Sequence, residues 1–309
     1  MTPDKFTIKE EMIKTTDGHK LYVHQWGNRT AEVVYIFLHG GPGSGCDDGH
    51  KELFDPKLHH VVFFDQRGAG KSTPKGSLKN NTTQHLVDDV TLIADHFKIK
   101  EFVLVGGSWG STLALAYTIK NPNRVLALVL RGIFTGSQAE IDFLDKGGAK
   151  SFFPEVWQNF VNSAPKEHQK DPAKYHTKQA IGNNKTNAKK SAYAYSVLEY
   201  SLIGLDDRRK PEDFEKFDPA SSIIEINYMA NRCFMEDEHI LDNANKIKQP
   251  VLIVQGRYDA ICPPINAYKL DQKLPNSKII WTTAGHSGSD RANTDTTKAI
   301  LLTLANQYE

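Results

Sequence analysis

The chain has 309 residues, 39% of them hydrophobic, so it can bury a large core as one domain or as a domain with an insertion. Its 38 basic and 37 acidic residues leave a formal net charge of +1, which gives no electrostatic basis for binding nucleic acid or an anionic membrane surface. No apolar stretch approaches the roughly 20 residues that span a bilayer, and the amino-terminal stretch lacks the apolar core of a signal peptide.

The first half of the chain predicts strands alternating with helices. Residues 6–15 and 19–26 read as two strands on either side of Asp17-Gly18, a favoured hairpin turn. Apolar side chains at helical spacing predict one helix within 82–97 and another over 111–120. Four short apolar runs are typical of parallel strands buried on both faces: 33–38, 59–64, 102–105 and 125–130. This alternation predicts an α/β fold with a mostly parallel sheet.

The pattern changes after residue 135 and returns near residue 246. Residues 136–245 are richer in polar and aromatic side chains at helical spacing and contain no clear buried strand. A strand, a helix, a strand and a terminal helix then follow, over 250–256, 265–274, 278–283 and 292–307. We therefore expect one core domain formed by 1–135 and 246–309, interrupted by a helical insert over 136–245.

The three cysteines, Cys46, Cys233 and Cys262, are odd in number and widely spaced. This pattern argues against a disulfide framework and indicates a protein of the reducing cytoplasm. No Cys-x-x-Cys pair and no cluster of histidines and cysteines has the spacing of a metal site, so we expect neither a metal nor another cofactor. The sequence carries no signal for an oligomeric state.

The stretch Gly106-Gly107-Ser108-Trp109-Gly110 lies where a predicted strand gives way to a predicted helix. It fits the G-x-S-x-G pattern of a nucleophile elbow, in which the serine occupies a tight turn and its neighbours must be small. Ser108 is therefore the candidate nucleophile, and the backbone N–H of Trp109 can donate to an oxyanion. Ser111, one helical turn further on, is the alternative nucleophile. Dehalogenases and epoxide hydrolases of this architecture carry aspartate at the elbow, so the serine argues against them.

A serine nucleophile needs a histidine base that a carboxylate orients, in the chain order serine, acid, histidine. His286 is the one histidine after the 250–256 strand, and it lies in a loop of small residues directly after the next strand. Asp259 lies in the loop after the 250–256 strand and is the expected acid. Asp271 falls within a predicted helix and Asp242 precedes the strand, so both rank lower.

A second oxyanion donor is expected from the loop after an earlier strand. His39-Gly40-Gly41-Pro42-Gly43 directly follows the 33–38 strand, and its glycines let backbone N–H groups approach a substrate oxygen. We expect the N–H of Gly41 to be the donor, with that of Gly40 as the alternative, and His39 to support the loop. The segment 68–72 matches the end of a phosphate-binding loop, but the glycine that such a loop requires is replaced by Asp65.

Taken together, these residues resemble the proline iminopeptidase (prolyl aminopeptidase) family of the α/β-hydrolase fold. The matching segments follow one another in family order over nearly the whole chain. They are HGGPG (39–43), DQRGAGKS (65–72), GGSWGSTLALAY (106–117), LRGIF (130–134), FFPE (152–155) and GRYD (256–259), with His286 near the end. The resemblance implies a serine exopeptidase that removes an N-terminal proline from small peptides, with 136–245 as a helical cap over the active site.

The resemblance also implies substrate-binding residues. The stretch YSVLEYS resembles the first of two motifs whose glutamates bind the substrate's free amino terminus, and IIEINYM resembles the second, giving Glu199 and Glu225. Phe134 resembles the residue that packs on the proline ring, and Arg131 lies beside it.

Two departures from the family pattern predict a looser proline pocket and a broader choice of N-terminal residue. Leu198 stands where the family usually has tryptophan, and Phe143 is followed by Leu144 where the family usually has an aromatic pair.

Three other functions remain open from the residues alone. A capped esterase or lactonase would use the same triad, and a broader aminopeptidase would differ only in its pocket. A non-catalytic binding protein on a hydrolase fold would be expected to lack a member of the triad, whereas this chain has a candidate for each.

Overall fold

A computed structural model describes residues 4–205 and 211–308 of the chain. Strands and helices alternate through the first and last parts of the chain, as the hydrophobic pattern predicts. The strands are β1 Thr7–Lys14, β2 Lys20–Gly27, β3 Val34–Leu38, β4 His60–Phe64, β5 Phe102–Ser108, β6 Val125–Ile133, β7 Val251–Gly256 and β8 Ser277–Thr282. The helices are α1 Thr83–His96, α2 Trp109–Lys120, α3 Gln138–Asp145, α4 Pro154–Ser163, α5 Pro172–Ala180, α6 Lys185–Tyr200, α7 Ala220–Ala230, α8 His239–Asn243, α9 Pro264–Asp271 and α10 Arg291–Tyr308.

The strands form one 8-stranded sheet in the order β1-β2-β4-β3-β5-β6-β7-β8. The first two pairings, β1 with β2 and β2 with β4, are antiparallel, and every other pairing is parallel. Strands β4 and β5 follow β3 in the chain but lie on opposite sides of it in the sheet. The direction in which successive strands are added therefore reverses between β3 and β5. Ligands of open α/β sheets bind at the carboxyl ends of the strands near such a reversal. The sheet therefore places the end of β5, where Ser108 lies, at the favoured edge.

Alternate side chains of each central strand enter two different cores. In β5, Phe102 and Leu104 belong to the cluster beneath α1 and α2, whereas Val103 and Val105 belong to the cluster beneath α10. Helices thus cover both faces of the sheet, which explains why the central strands are continuous apolar runs rather than alternating ones. The α/β fold expected from the sequence is confirmed.

Among the described residues between β6 and β7 there are helices and turns but no strand. A third hydrophobic cluster holds these helices together, and it includes Phe160, Tyr195, Leu198 and Ile226. The last helix of the segment, α8, packs differently, because its Ile240 lies in the core beneath α2. None of the described helices is long and apolar enough to cross a lipid bilayer.

Candidate active site

Ser108 occupies a strained turn between β5 and α2. Its φ of 56° and ψ of −127° lie in a region that a residue with a Cβ rarely adopts, so surrounding packing must hold it there. A Cβ at Gly106 would lie 2.4 Å from the carbonyl oxygen of Gly110, and a Cβ at Gly110 would lie 2.0 Å from that of Leu38. Gly106 and Gly110 are therefore required, because β5, α2 and the end of β3 approach one another too closely to leave room for a side chain at either position. The helix begins at Trp109, two residues before the start expected from the sequence.

His286 and Asp259 meet at the same edge of the sheet. His286 Nδ1 lies 2.8 Å from Asp259 Oδ2, and both side chains are 4% exposed. The N–H groups of Ile261 and Cys262 donate to the other carboxylate oxygen at 3.0 and 2.7 Å. A carboxylate held in this way orients the ring and leaves Nε2 as the atom that faces the reaction.

Gln255 completes the surroundings of this acid, and the sequence did not single it out. It is fully buried at the end of β7, and its amide Nε2 donates to Asp259 Oδ2 at 3.2 Å. Its Oε1 accepts the N–H of Ile133 at 2.9 Å, which ties the end of β6 to the acid. The sequence did contain a signal for Gln255, because it is the one polar residue in the otherwise apolar stretch VLIVQG, and a polar side chain buried there needs hydrogen-bond partners.

The ring of His286 lies over Gly132, next to the strand position that pairs with Ser108. Ser108 pairs with Ile133 across β5 and β6, and a Cβ at Gly132 would lie only 3.0 Å from His286 Cε1. Among the described residues, no hydrogen bond joins Ser108 Oγ to the imidazole. Burial raises the pKa of the neighbouring Cys262 thiol well above its usual value, and the Ser108 hydroxyl acts in the opposite direction. The structure thus brings the three predicted side chains to one edge without an Oγ–imidazole bond.

The glycine-rich loop lies beside the nucleophile. A Cβ at Gly40 would be 3.5 Å from the Cβ of Ser108, and Gly41 has a φ of +102° that favours glycine. Within the described part of the chain, the N–H groups of Gly40 and Gly41 have no hydrogen-bond partner. The N–H of Trp109 opens α2 and so has no acceptor within the helix. Both sources of oxyanion donors are therefore adjacent to Ser108.

Arg131 contacts the histidine loop. Its guanidinium donates to the main-chain carbonyl of His286. It also fills the space beside two glycines, since a Cβ at Gly107 would lie 2.5 Å from its Nη2 and one at Gly288 would lie 3.3 Å from its Nε. Phe134, the other residue expected at the proline pocket, is 7% exposed. It packs within the core cluster that includes Trp109.

Glu199 on α6 and Glu225 on α7 lie close enough for their charges to interact. The two helices are joined by a 2.7 Å hydrogen bond between Ser196 and Ser222, each one turn before its glutamate. Burial raises the pKa of Glu225 to about 7. Burial, the Glu225 carboxylate and the Asp145 carboxylate raise the pKa of Glu199 well above its usual value. Over residues 4–205 and 211–308, neither glutamate is paired with a lysine or an arginine.

Asp145 is a third acid near this pair, and the sequence did not point to it. It closes α3 and accepts a hydrogen bond from Tyr195 at 3.1 Å, and burial raises its pKa to about 6. Leu198, one of the two departures from the family pattern, is 3% exposed within the helical cluster.

Helix α7 and the turn that follows α6 contact the catalytic edge. On α7, Tyr228 packs its ring against Trp109 at a centroid distance of 4.9 Å, and a Cβ at Gly43 would lie 2.9 Å from the carbonyl oxygen of Ser221. Beyond the end of α6, the carbonyl of Ile203 accepts the N–H of Ser287 at 2.7 Å, in the histidine loop. These contacts anchor α7 and the chain that follows α6 at the edge that carries Ser108.

The residues that the sequence offered as alternative nucleophile, base or acid have structural hydrogen bonds or ion pairs instead. Ser111 is fully buried and its hydroxyl donates to the carbonyl of Ser108 at 2.7 Å. His39 is 1% exposed, and burial lowers its pKa to about 4. Asp271 accepts a hydrogen bond from Ser277, and Asp242 lies 3.6 Å from Lys273, so neither acid reaches the histidine.

Comparisons with known proteins give one family. Residues 34–290 match the model of the alpha/beta hydrolase fold. The chain is 41% identical over 288 residues to a protein from Arabidopsis thaliana named proline iminopeptidase, covering 90% of this chain and 75% of that protein. It is 38% identical over 283 residues to a probable proline iminopeptidase of Leptolyngbya boryana, covering 89% and 88%. Among solved structures, MGS-M2, an alpha/beta hydrolase enzyme from a Medee basin deep-sea metagenome library, superposes with a TM-score of 0.69 at 18% identity, covering 96% of this chain and 98% of that one.

Proposed function

The chain belongs to the proline iminopeptidase family of the α/β-hydrolase fold, and we propose that it is a serine exopeptidase that releases an N-terminal proline from small peptides. The observation that carries this proposal is the hydrogen-bonded pair of His286 and Asp259 beside the strained elbow of Ser108. The two buried, interacting carboxyl groups of Glu199 and Glu225 are suited to bind the free amino terminus that an exopeptidase must recognise.

The proposed reaction passes through an acyl-enzyme. His286 Nε2 takes the proton of Ser108 Oγ as the oxygen attacks the carbonyl carbon of the N-terminal residue. This requires Ser108 Oγ to come within hydrogen-bond distance of His286 Nε2, since no such bond is present among the described residues. Catalytic hydrogen bonds often form only when substrate is bound. The N–H groups of Gly41 and Trp109 hold the oxyanion, and Asp259 stabilises the imidazolium.

The second half of the reaction reverses these proton transfers. The imidazolium of His286 gives its proton to the leaving amine, and the shortened peptide departs. A water molecule then attacks the ester carbonyl while the same ring accepts its proton, and the proton passes to Ser108 Oγ as the ester bond breaks. The products are free proline and the shortened peptide, and the enzyme returns to its initial state.

We propose that Glu199 and Glu225 bind the protonated amino group of the substrate's first residue, which is a secondary ammonium in proline. A charge-assisted hydrogen bond of this kind contributes about 1.5–3 kcal/mol, which distinguishes a free terminus from an internal amide. The raised pKa of each carboxyl supports this role, because an arriving cation stabilises the ionised form that burial opposes. Residues 136–245 would form the cap that excludes upstream residues, with α8 packed on the core.

We also propose a cytoplasmic location. The three cysteines are unpaired in the structure, and free thiols persist in a reducing compartment.

The test compares prolyl-naphthylamide with its N-acetylated form, which has the same leaving group but no free amine, and with an uncharged activated ester. Wild-type enzyme should cleave prolyl-naphthylamide, should fail on its N-acetylated form, and should hydrolyse an uncharged activated ester. Ser108→Ala should abolish cleavage of both reactive substrates. Glu199→Gln and Glu225→Gln should lower kcat/KM for prolyl-naphthylamide by roughly tenfold or more each, while the ester rate changes little.

The alternative functions predict different results. An esterase or lactonase would hydrolyse the ester well and cleave the N-acetylated and free prolyl compounds equally poorly. A broader aminopeptidase would cleave alanyl- and leucyl-naphthylamide at rates close to that of the prolyl compound. A non-catalytic protein would turn over none of these substrates and would not react with a fluorophosphonate probe.

A further inference from the structure

We propose that Gln66 is a positioning residue that holds both sources of the oxyanion donors in place, an inference that rests on the oxyanion hole proposed above. Gln66 follows β4 in the segment Asp65-Gln66-Arg67-Gly68, which has no part in the chemistry described so far. Its side chain is 1% exposed and lies between the glycine-rich loop and the elbow.

The side-chain amide of Gln66 bonds to both segments. Its Oε1 accepts the indole N–H of Trp109 at 2.9 Å, which anchors the first residue of α2. Its Nε2 donates to the main-chain carbonyl of His39 at 2.9 Å, which anchors the first residue of the loop. One buried amide therefore fixes the distance between the two segments whose backbone N–H groups face the oxyanion.

The main chain of Gln66 determines how the loop is oriented. Its N–H donates to His39 Nε2 at 2.9 Å, so the neutral ring carries its proton on Nδ1. His39 Nδ1 lies 2.9 Å from the carbonyl oxygen of Gly40 and donates to it. Since Nδ1 carries the proton, it cannot also accept the N–H of Gly45, which lies at 3.3 Å.

The bond to Gly40 sets the direction of the Gly41 N–H. In a trans peptide unit the C=O of one residue and the N–H of the next point in opposite directions. The Gly40–Gly41 bond is trans, since the cis bonds found among the described residues precede Pro42 and Pro74. Because the Gly40 carbonyl is held toward the His39 ring, the N–H of Gly41 points away from that ring. Donors that are fixed before the reaction lower the barrier because they need no reorganisation when charge develops.

Asp65 provides a second anchor for the loop. Its Oδ1 accepts the N–H of Cys46 at 2.7 Å and its Oδ2 accepts the N–H of Lys71 at 2.7 Å. Arg67, on the other side of Gln66, forms an ion pair with Asp89 at 2.7 Å. The segment is thus held rigidly on both sides of Gln66, so the Gln66 amide is a fixed point rather than a mobile side chain.

The test replaces Gln66 by methionine, which has a similar volume and no amide. Gln66→Met removes both side-chain hydrogen bonds. We expect kcat to fall roughly ten- to hundredfold, part of the 100- to 1,000-fold that loss of an oxyanion donor costs, with KM changed less than twofold. Affinity for a prolyl boronic acid, whose tetrahedral adduct on serine resembles the transition state, should fall by a similar factor. Rates are expressed per active site titrated with a fluorophosphonate.

A matched control separates positioning from general stability. Gln25 on β2 is 8% exposed and bonds to His60 at 3.0 Å, so it is another buried glutamine that holds a histidine. Gln25→Met should lower stability and leave kcat and the boronate affinity unchanged. As a second variant, Trp109→Phe keeps the backbone donor and an aromatic ring beside Tyr228, and it removes the indole bond to Gln66. It should lower kcat roughly three- to tenfold even if Gln66→Met does not fold.

Hydrolysis of an uncharged activated ester is measured in parallel, because it needs the oxyanion hole but not the recognition of proline. A parallel loss on the ester supports the role of Gln66 even if prolyl substrates prove not to be cleaved. A kcat for Gln66→Met within twofold of wild type on the ester overturns the inference. An equal loss in Gln25→Met, or a change confined to KM, overturns it as well.

Discussion

Replacing Glu225 by glutamine should make the protein more stable at neutral and basic pH while impairing its activity on peptides. Burial raises the pKa of this carboxyl from 4.5 to about 7. Between those values the folded protein keeps a proton that the unfolded chain has lost. The contribution of Glu225 to the free energy of unfolding therefore falls as pH rises from 4.5 to 7 and is level above that range.

The size of the effect follows from the same two pKa values. Each pH unit between them costs about 1.4 kcal/mol, so the ionised Glu225 destabilises the folded state by up to about 3 kcal/mol at pH 8. Glutamine does not titrate, so Glu225→Gln avoids this cost. It also removes a neighbouring charge that raises the pKa of Glu199, which acts in the same direction.

Urea titrations at pH 5 and pH 8 measure the free energy of unfolding of both proteins. The variant should be close to the wild type at pH 5 and more stable by up to about 3 kcal/mol at pH 8. Glu155→Gln on α4 makes the same chemical change at an exposed position and should show no pH-dependent difference. A variant that is less stable than the wild type at pH 8, or equally different at both pH values, would refute the reasoning. Stability gained together with lost peptide activity is the expected sign of a functional carboxylate.

Three further predictions concern the surroundings of the nucleophile. Because Cys262 is 4% exposed and burial raises the pKa of its thiol well above the usual value, a bulky thiol reagent should leave activity intact, and rapid inhibition that Cys262→Ala abolishes would contradict this burial. Because Arg131 bonds to the carbonyl of His286, Arg131→Lys should lower kcat with little change in KM; a higher KM at unchanged kcat would instead assign it to substrate binding. Because Gly132 has a φ of +55° and a Cβ there would lie only 3.0 Å from His286 Cε1, Gly132→Ala should lower kcat at least tenfold, and wild-type turnover of the folded variant would contradict the geometry.

Local chemistry made much of the fold and part of the site predictable. Continuous apolar runs such as 102–105 specify strands buried on both faces, and their alternation with helical patterns specifies an α/β sheet. The elbow was readable because steric limits at a tight turn require small residues around Ser108, and such limits act over a few neighbouring positions. The one difference there, a helix starting at Trp109, arises because the elbow leads directly into α2.

Contacts between distant positions were decided by the packed structure alone. The bond between Arg131 and His286 joins residues 155 positions apart, so no local pattern could assign that arginine to the histidine loop. The partners of Gln66, the support of Asp259 by Gln255 and the approach of Asp145 to Glu199 likewise depend on how strands and helices pack. The raised pKa of Glu225 has the same origin, because desolvation is a property of the surrounding protein and not of the residues beside it in the chain. The sequence by itself determined the order of the elements and the identity of the reactive serine, while the tertiary structure determined which groups surround that serine.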